Sequence, residues 1–409
     1  MKLRWILSFA LLSMLLTGCW NRIELNELSI TSATAFDLEG EDWVISYQVV
    51  IPSAISSGAG TVGGSSASRS PITVFSARGR TIREAVANSN IENSRALFFA
   101  HTNILVVSEQ VARRGLDPII DLYLRVAEAR ETVHVLVTTG KARTILQQLM
   151  HSEKIPGQGI REIIMNEARN SSLIPSVMLF ELAMSLTSSS KSGLLPEIVL
   201  SGEAATDSLD TLKKTYVRSK LKIGRLGILK GDKLVGWMKR EESFGVSFIK
   251  NKVNRAIISF PCGKSSYDGK RSAYNSSFRL SHSSTKLKPM KSGDHFSMKV
   301  DIKASGILME SGCQLDLSKP DNVSLLENQL QQELNRIVLS GWKASKELGT
   351  DVLGFADVIH RNFPKEWKKL NGHWDAAFAR MEIEPQIKVS IDRTGLSNRS
   401  FKTLQNKED

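Results

Sequence analysis

The apolar run Trp5–Leu16 is about a dozen residues long, well short of the ~20 that a membrane-spanning helix needs. Cysteine is scarce, with three in 409 residues. Two of these, Cys262 and Cys313, stand 51 positions apart with no framework spacing around them, so the residues leave open either a bridge or two buried free thiols. The seven histidines (His101, His134, His151, His282, His295, His360 and His373) are scattered. They offer no pair at helical metal-ligand spacing and no HExxH. There is no GxSxG elbow, no ordered Ser/His/Asp set and no GxxxxGK[ST] loop. Gly58-x-Gly60-x-x-Gly63 matches a dinucleotide fingerprint formally, but Gly64–Ser70 cannot open the helix whose N-terminus would receive a pyrophosphate. Glu241 and Glu242 sit beside Lys239 and Arg240, a balanced surface rather than an acid–base pair. The chain therefore carries no signature of an enzyme, a metal protein or a cofactor binder.

What the chain does carry begins at its first residues. Lys2 and Arg4 form a short basic region, the apolar run follows, and Leu16-Thr17-Gly18-Cys19 closes it. Length, charge order and the small-small-Cys ending together are the pattern of a cleavable lipoprotein leader. The small residues let a peptidase close on the backbone, and the thiol of Cys19 is acylated, for instance as a diacylglycerol thioether, before the cut. Residues 1–18 are therefore read as a signal peptide and Cys19 as the lipidated N-terminus of an extracytoplasmic protein of 391 residues. Loss of Lys2 and Arg4 lowers the net charge from +12 to +10. On an anchored protein outside the cell, such an excess faces anionic lipid, wall polymers or acidic partners. Nucleic acid is excluded by the compartment and by the lack of an aromatic-basic motif.

The hydrophobic and charged fractions, 41% and 23%, are those of an ordinary globular protein. Trp43–Ile51 is strand-like, Ser56–Ser70 is a Gly/Ser-rich exposed loop, and Pro71–Ala77 resumes as a strand. Thr81 with Glu84 is a capping box. Strand Asn103–Val107, a small helix from Ser108 to Gly115, helix Ile119–Ala129 behind an Asp117-Pro118 cap, strand Thr132–Thr138 and helix Ala142–Met150 alternate as in a layered α/β unit. His134 alternates with Val133 and Val135, and reads as a solvated or hydrogen-bonded histidine. Helices Ile160–Ala168 and Val177–Thr187 precede a polar linker, Ser185–Ser192. A hairpin pairs Leu226–Leu229 with Lys233–Trp237 about a Gly-Asp turn. Helix Glu241–Phe248 and strand Ala256–Phe260 follow, then long strands Phe278–Leu287 and Phe296–Leu308. A long helix, Asn322–Ser345, carries Leu326, Leu330, Leu334, Ile337 and Val338 on one stripe. Helices Phe355–Asn362 and Lys365–Phe378 and a strand around Ile387–Ile391 end the chain. Trp367, Trp374 and Phe378 share a helix face and read as core, with Lys365, Lys368 and Lys369 on the solvated side. No internal repeat is present. The expected architecture is α+β and multi-domain, with three mixed α/β domains behind the lipoprotein signal peptide: 19–200, a small middle domain 215–273 with the hairpin, and 274–400 with the long helix.

Four stretches carry a family resemblance. They are Cys19-Trp20-Asn21-Arg22 with Glu24-Leu25-Asn26; Arg95–His101; Gly227–Trp237; and the tail residues Gly349, Asp351–Phe355, His360-Arg361, Pro364-Lys365, Trp367-Lys368, Trp374 and Arg393–Gly395. In this order they resemble the Ger(x)C family, the lipoprotein C subunit of spore germinant receptors. The loop Ser56–Ser70 and the polar residues after Lys402 depart from that family's pattern. The resemblance implies a non-catalytic subunit without cofactors, anchored through Cys19 on the outer face of the spore inner membrane and needed for the germination response to nutrients. It further implies two integral-membrane partners, of A and B type, and a fold of three α+β domains. Two readings of other classes stand beside it: a substrate-binding lipoprotein of a transporter, needing two lobes and a cleft, and a wall-active hydrolase, needing a pocket with paired carboxylates.

Overall fold

The structure is a computed structural model that describes Trp5 and residues 27–56, 70–126, 128–202, 205–216, 219–262, 274–293, 295–313 and 315–395. Cys19, the rest of the leader apart from Trp5, nearly all of the Ser56–Ser70 loop and the tail beyond residue 395 lie outside the described residues.

Two sheets organise the chain. The first has nine strands, in the order β3-β2-β1-β5-β6-β7-β8-β9, with β4 added beside β1. Its strands are β1 (Leu28–Glu39), β2 (Asp42–Val50), β3 (Ile72–Gly79), β4 (Ala96–Phe98), β5 (Ile104–Ser108), β6 (His134–Thr138), β7 (Ser192–Gly202), β8 (Ser219–Lys230) and β9 (Lys233–Met238). The centre is parallel, since β1 pairs β5, β5 pairs β6 and β6 pairs β7. The wings are antiparallel hairpins. β5 and β6 are buried at every position, as parallel strands covered on both faces must be. This explains why Ile104-Leu105-Val106-Val107 runs apolar instead of alternating. β8 and β9, which fall in the expected 215–273 unit, continue this sheet through the β7–β8 pairing.

The first-sheet helices are α1 (Pro52–Ser56), α2 (Ile82–Glu92), α3 (Glu109–Arg114), α4 (Asp117–Arg125), α5 (Ala142–Leu146), α6 (Pro156–Asn166), α7 (Leu179–Thr187) and α8 (Leu209–Leu212). Thr81 caps α2 by accepting from the Glu84 N–H at 3.1 Å. Asp117 does not cap α4. It is the first helical residue behind Leu116, and its N–H donates to Asp232 Oδ2 at 3.3 Å, because the β8–β9 turn docks there. Leu116 N–H likewise donates to the Asp232 carbonyl at 3.0 Å. Gly231 in that turn takes φ +56°, where a side chain would be strained.

The second sheet has the order β10-β11-β12-β13, with β10 (Ala256–Pro261), β11 (Tyr274–Ser292), β12 (His295–Glu310) and β13 (Glu382–Arg393). Helices α9 (Arg240–Ile249) and α10 (Pro320–Glu347) pack together on its inner side, followed by α11 (Phe355–Asn362), α12 (Pro364–Leu370) and α13 (Trp374–Arg380). The stripe of α10, from Leu326 through Leu330, Leu334 and Ile337 to Val338, is buried and shares one core with Met298, Val300 and Ile302 of β12. The single helix expected over Lys365–Phe378 is broken at Asn371–His373 by a tight turn, since Asn and Gly are poor helix formers. Even so, Trp367 and Trp374 meet edge to face at 5.4 Å, and both are buried with Phe378. Cys262 and Cys313 are joined in a disulfide with Cα atoms 5.8 Å apart.

Candidate functional site

The tail stretch that follows α10 forms a polar knot between the two sheets. Gly349 (φ +58°) and Gly354 (φ +80°) both take left-handed backbone, which folds the chain back on itself. Between them, buried Asp351 accepts three backbone N–H groups: Gly354 and Phe355 at Oδ1, each 3.0 Å, and Ala356 at Oδ2, 2.7 Å. Those donors are the orphan N–H groups that open α11, and a carboxylate there also complements the helix dipole. Burial nevertheless pushes the Asp351 carboxyl up to about 6, against these bonds and the nearby Lys250 cation. Lys250 caps α9 and donates Nζ to the Val352 carbonyl at 3.0 Å. Burial lowers its pKa, while the charges of Asp351 and Asp357 oppose that shift.

The serine run between α7 and β7 is not a free linker. Ser188 Oγ donates to Asp357 Oδ2 at 3.1 Å and Ser189 N–H to Asp357 Oδ1 at 2.7 Å. Ser192 Oγ donates to the Asp351 carbonyl at 2.6 Å. Ser189 Oγ also meets His360 Nδ1 at 2.8 Å. A serine, a histidine and an aspartate thus converge, but Asp357 is engaged by the serine turn rather than orienting the imidazole, so no Ser–His–Asp relay is assembled. The His360 ring instead stacks on Trp367 at 5.5 Å. A cleft of about 570 Å³ adjoins the knot, and its lining includes the Lys252–Glu181 ion pair at 2.9 Å.

A second polar link holds the β7–β8 wing. Glu197, 3% exposed, accepts Arg225 N–H at 2.9 Å, Nε at 3.0 Å and Nη2 at 2.8 Å. The Arg225 guanidinium lies 4.3 Å over the Trp237 ring, a cation–π contact. Trp237, the last residue of the expected hairpin strand Lys233–Trp237, is thus bound into the sheet.

Cys19 and Gly58, Gly60 and Gly63 lie outside the described residues. Glu242 caps α9 by accepting the Lys239 N–H at 2.7 Å, and Glu241 pairs with Arg336. Both carboxylates are therefore structural. His134 is neither solvated nor fully bonded: it is 1% exposed, and its Nδ1 has no hydrogen-bond partner, because β6 is covered on both faces. Sequence reasoning missed Lys250, Glu197 and Arg225, for which the only signal is a lone charge next to an apolar run. Among the described residues no group of three or more His, Cys, Asp or Glu could hold a metal ion, and no helix is long and apolar enough to cross a membrane.

Residues 21–200 match the family model described as Spore germination protein N-terminal domain. Residues 225–395 match that described as Spore germination B3/GerAC like, C-terminal. The chain is 28% identical over 393 residues to spore germination protein KC of Bacillus subtilis (strain 168), covering 95% of this chain and 94% of that protein. To spore germination protein B3 of the same strain it is 23% identical over 404 residues, covering 95% and 97%. The crystal structure of the GerBC protein superposes with a TM-score of 0.52 at 19% identity, covering 91% of this chain and 100% of that one. At that identity the likeness is one of fold.

Proposed function

The chain belongs to the Ger(x)C family of spore germination proteins, and on that premise we propose that a lipid on Cys19 holds it against the outer face of the spore inner membrane, beside two integral-membrane subunits of A and B type. Membership makes it a germinant-receptor component and not an enzyme. The observation that carries the reading is that both halves of the family occur in order in one chain, with 95% of it aligned to a germination protein. The work of such a subunit is contact, and the construction of the molecule favours that. Its buried charges are spent on holding sheets and helices together rather than gathered around a reacting centre.

The tether is short. Cys19 and Leu28 stand nine positions apart, at most ~32 Å of extended chain, so β1 stays within that distance of the acyl group. The outward face of the second sheet supplies a further attraction to anionic lipid. Lys286, Lys288, Lys303 and Lys388 are all exposed there, and of these Lys288 is paired with Asp301 at 2.7 Å. Basic residues near an anionic surface contribute about 1 kcal/mol each. In the same reading, residues 19–200, 215–273 and 274–400 are three units of one body. Limited proteolysis that cuts first near residues 203–218 and 263–273 supports that division, and first cuts inside the sheets count against it.

The test is affinity isolation of the tagged protein from spore membranes, with Cys19→Ala as the comparison. Two polytopic proteins should come with the unchanged chain. The variant should lose its acyl mass, leave the membrane fraction and weaken a nutrient response. A variant that stays on the membrane and germinates normally would end the proposal.

A further inference from the structure

A second cleft, of about 620 Å³, opens where β1, β5 and β6 begin. Its apolar lining comes from Ile30, Val50, Ile55, Ile155 and Met178. Its polar lining includes Arg130, Arg161 and His101 together with Asn103 and Gln158, and no Asp or Glu is among the lining residues. Arg130 forms no ion pair among the described residues. Arg161 donates Nη1 to Glu162 Oε1 at 3.1 Å, with both side chains about 40% exposed, a contact worth little in water. The eleven-residue helix α6 starts at the cleft. Its cap residue Ile155, then Gln158 and Arg161, line it, so the positive end of the helix adds to the field.

The independent sign of a ligand is His134. His134 is among the residues that line this cleft and is 1% exposed, and its Nδ1 is buried without a hydrogen-bond partner among the described residues. A buried polar atom with no hydrogen bond costs free energy, and within a folded protein such atoms are few. Burial and the Arg161 charge hold the ring below the usual histidine range, with Glu181 opposing.

We propose that this cleft binds a small aliphatic monocarboxylate, its head held by Arg130 and Arg161 and its body against the apolar lining residues. The cleft volume lies within the usual range for small-ligand sites, and a planar carboxylate suits guanidinium donors. The lining also sets what is refused. With no carboxylate among the lining residues, the α-ammonium of an amino acid would meet the like charge of two guanidinium groups and no acidic partner. The cleft therefore selects the acid over the corresponding amino acid. This inference stands apart from the receptor reading, because it concerns the isolated chain and needs no partner subunit.

The probe is 4-methylpentanoate, added to the purified full chain, with 4-methylpentanamide and L-leucine as its uncharged and zwitterionic counterparts. Calorimetry should give a dissociation constant for the acid at least about tenfold below that of either counterpart. The His134 ring resonances should move in the same titration. Arg130→Gln and Arg161→Gln should each weaken the acid about tenfold while leaving the amide unchanged. Arg130 is exposed, so its variant keeps the test open should Arg161→Gln disturb α6. Equal binding of acid and amide, acid binding indifferent to both variants, or no binding of the acid in the millimolar range would each overturn the assignment. Leucine binding as tightly as the acid would overturn its class.

Discussion

Gly245 of α9 and Gly341 of α10 lie back to back. A methyl group built on Gly245 would run into the Ile337 carbonyl and come within 2.8 Å of Gly341 N, and one on Gly341 would come within 2.6 Å of Val246 N. The two helices touch through bare backbone, and this contact lets Phe244 and Phe248 on α9 and the apolar stripe of α10 share one core.

Gly341→Ala should therefore destabilise the protein, although alanine in a helix interior normally stabilises by about 1 kcal/mol over glycine. Forcing a methyl between two backbones costs about 1–3 kcal/mol, so the net loss should be about 2 kcal/mol at most. A urea midpoint that falls is expected for Gly341→Ala and Gly245→Ala alike. A midpoint that stays or rises would mean that the helices do not cross this closely.

Asp351→Asn should cost more than Asp357→Asn. Asp351 satisfies three backbone N–H groups, two of them buried, and lies near Lys250. An amide keeps one acceptor oxygen and removes one of the carboxylate charges that act on the Lys250 ammonium, a change worth about 3 kcal/mol. Asp357 is only half-buried and serves the outer serine turn. Chemical denaturation of both variants measures the difference, and equal losses would show that the knot is not centred on Asp351.

Reduction of the Cys262–Cys313 bridge should lower the melting temperature without altering the far-ultraviolet circular dichroism. The bridge closes a loop of 51 residues, and constraint of such a loop in the unfolded chain contributes about 4 kcal/mol. Cys313→Ser should match the reduced protein. Identical melting with and without reductant would show that the bridge gives no stability.

The elements with strong periodicity were legible from residues alone. Leu326, Leu330 and Leu334 mark α10, and the Gly231-Asp232 turn marks the β8–β9 hairpin, because burial of one face imposes the spacing. The polar knot was not legible. Ser188, Ser189 and Ser192 read as a linker since small polar residues do favour loops, and nothing local reveals that Asp351 and Asp357, far along the chain, supply their partners. Lys250 and Glu197 were hidden for the same reason: pairing of buried charges is decided by tertiary contact, not by neighbours in sequence. His134 misled more simply. Alternation with two valines suggests an outward face, whereas a parallel strand at the centre of a covered sheet has no outward face.

That burial gives His134 a defined pH signature. In the unfolded chain it titrates near the ordinary value of 6.5, and in the folded chain burial and Arg161 bring it lower. Between the two values the unfolded chain holds a proton that the native chain does not, so falling pH favours unfolding. His134 therefore contributes stability that is intact above 6.5 and lost as pH drops below it. A nuclear magnetic resonance titration of the ring should show a midpoint under 6.5, and the melting temperature of the unchanged protein should fall more steeply on acidification than that of His134→Asn. Adding 4-methylpentanoate should move the ring midpoint upward, because an anion in the cleft offsets the Arg161 charge and favours the imidazolium. A midpoint at or above the ordinary value in the free chain would show that the ring is hydrated, and with it the unpartnered Nδ1 on which the cleft's assignment rests would be lost.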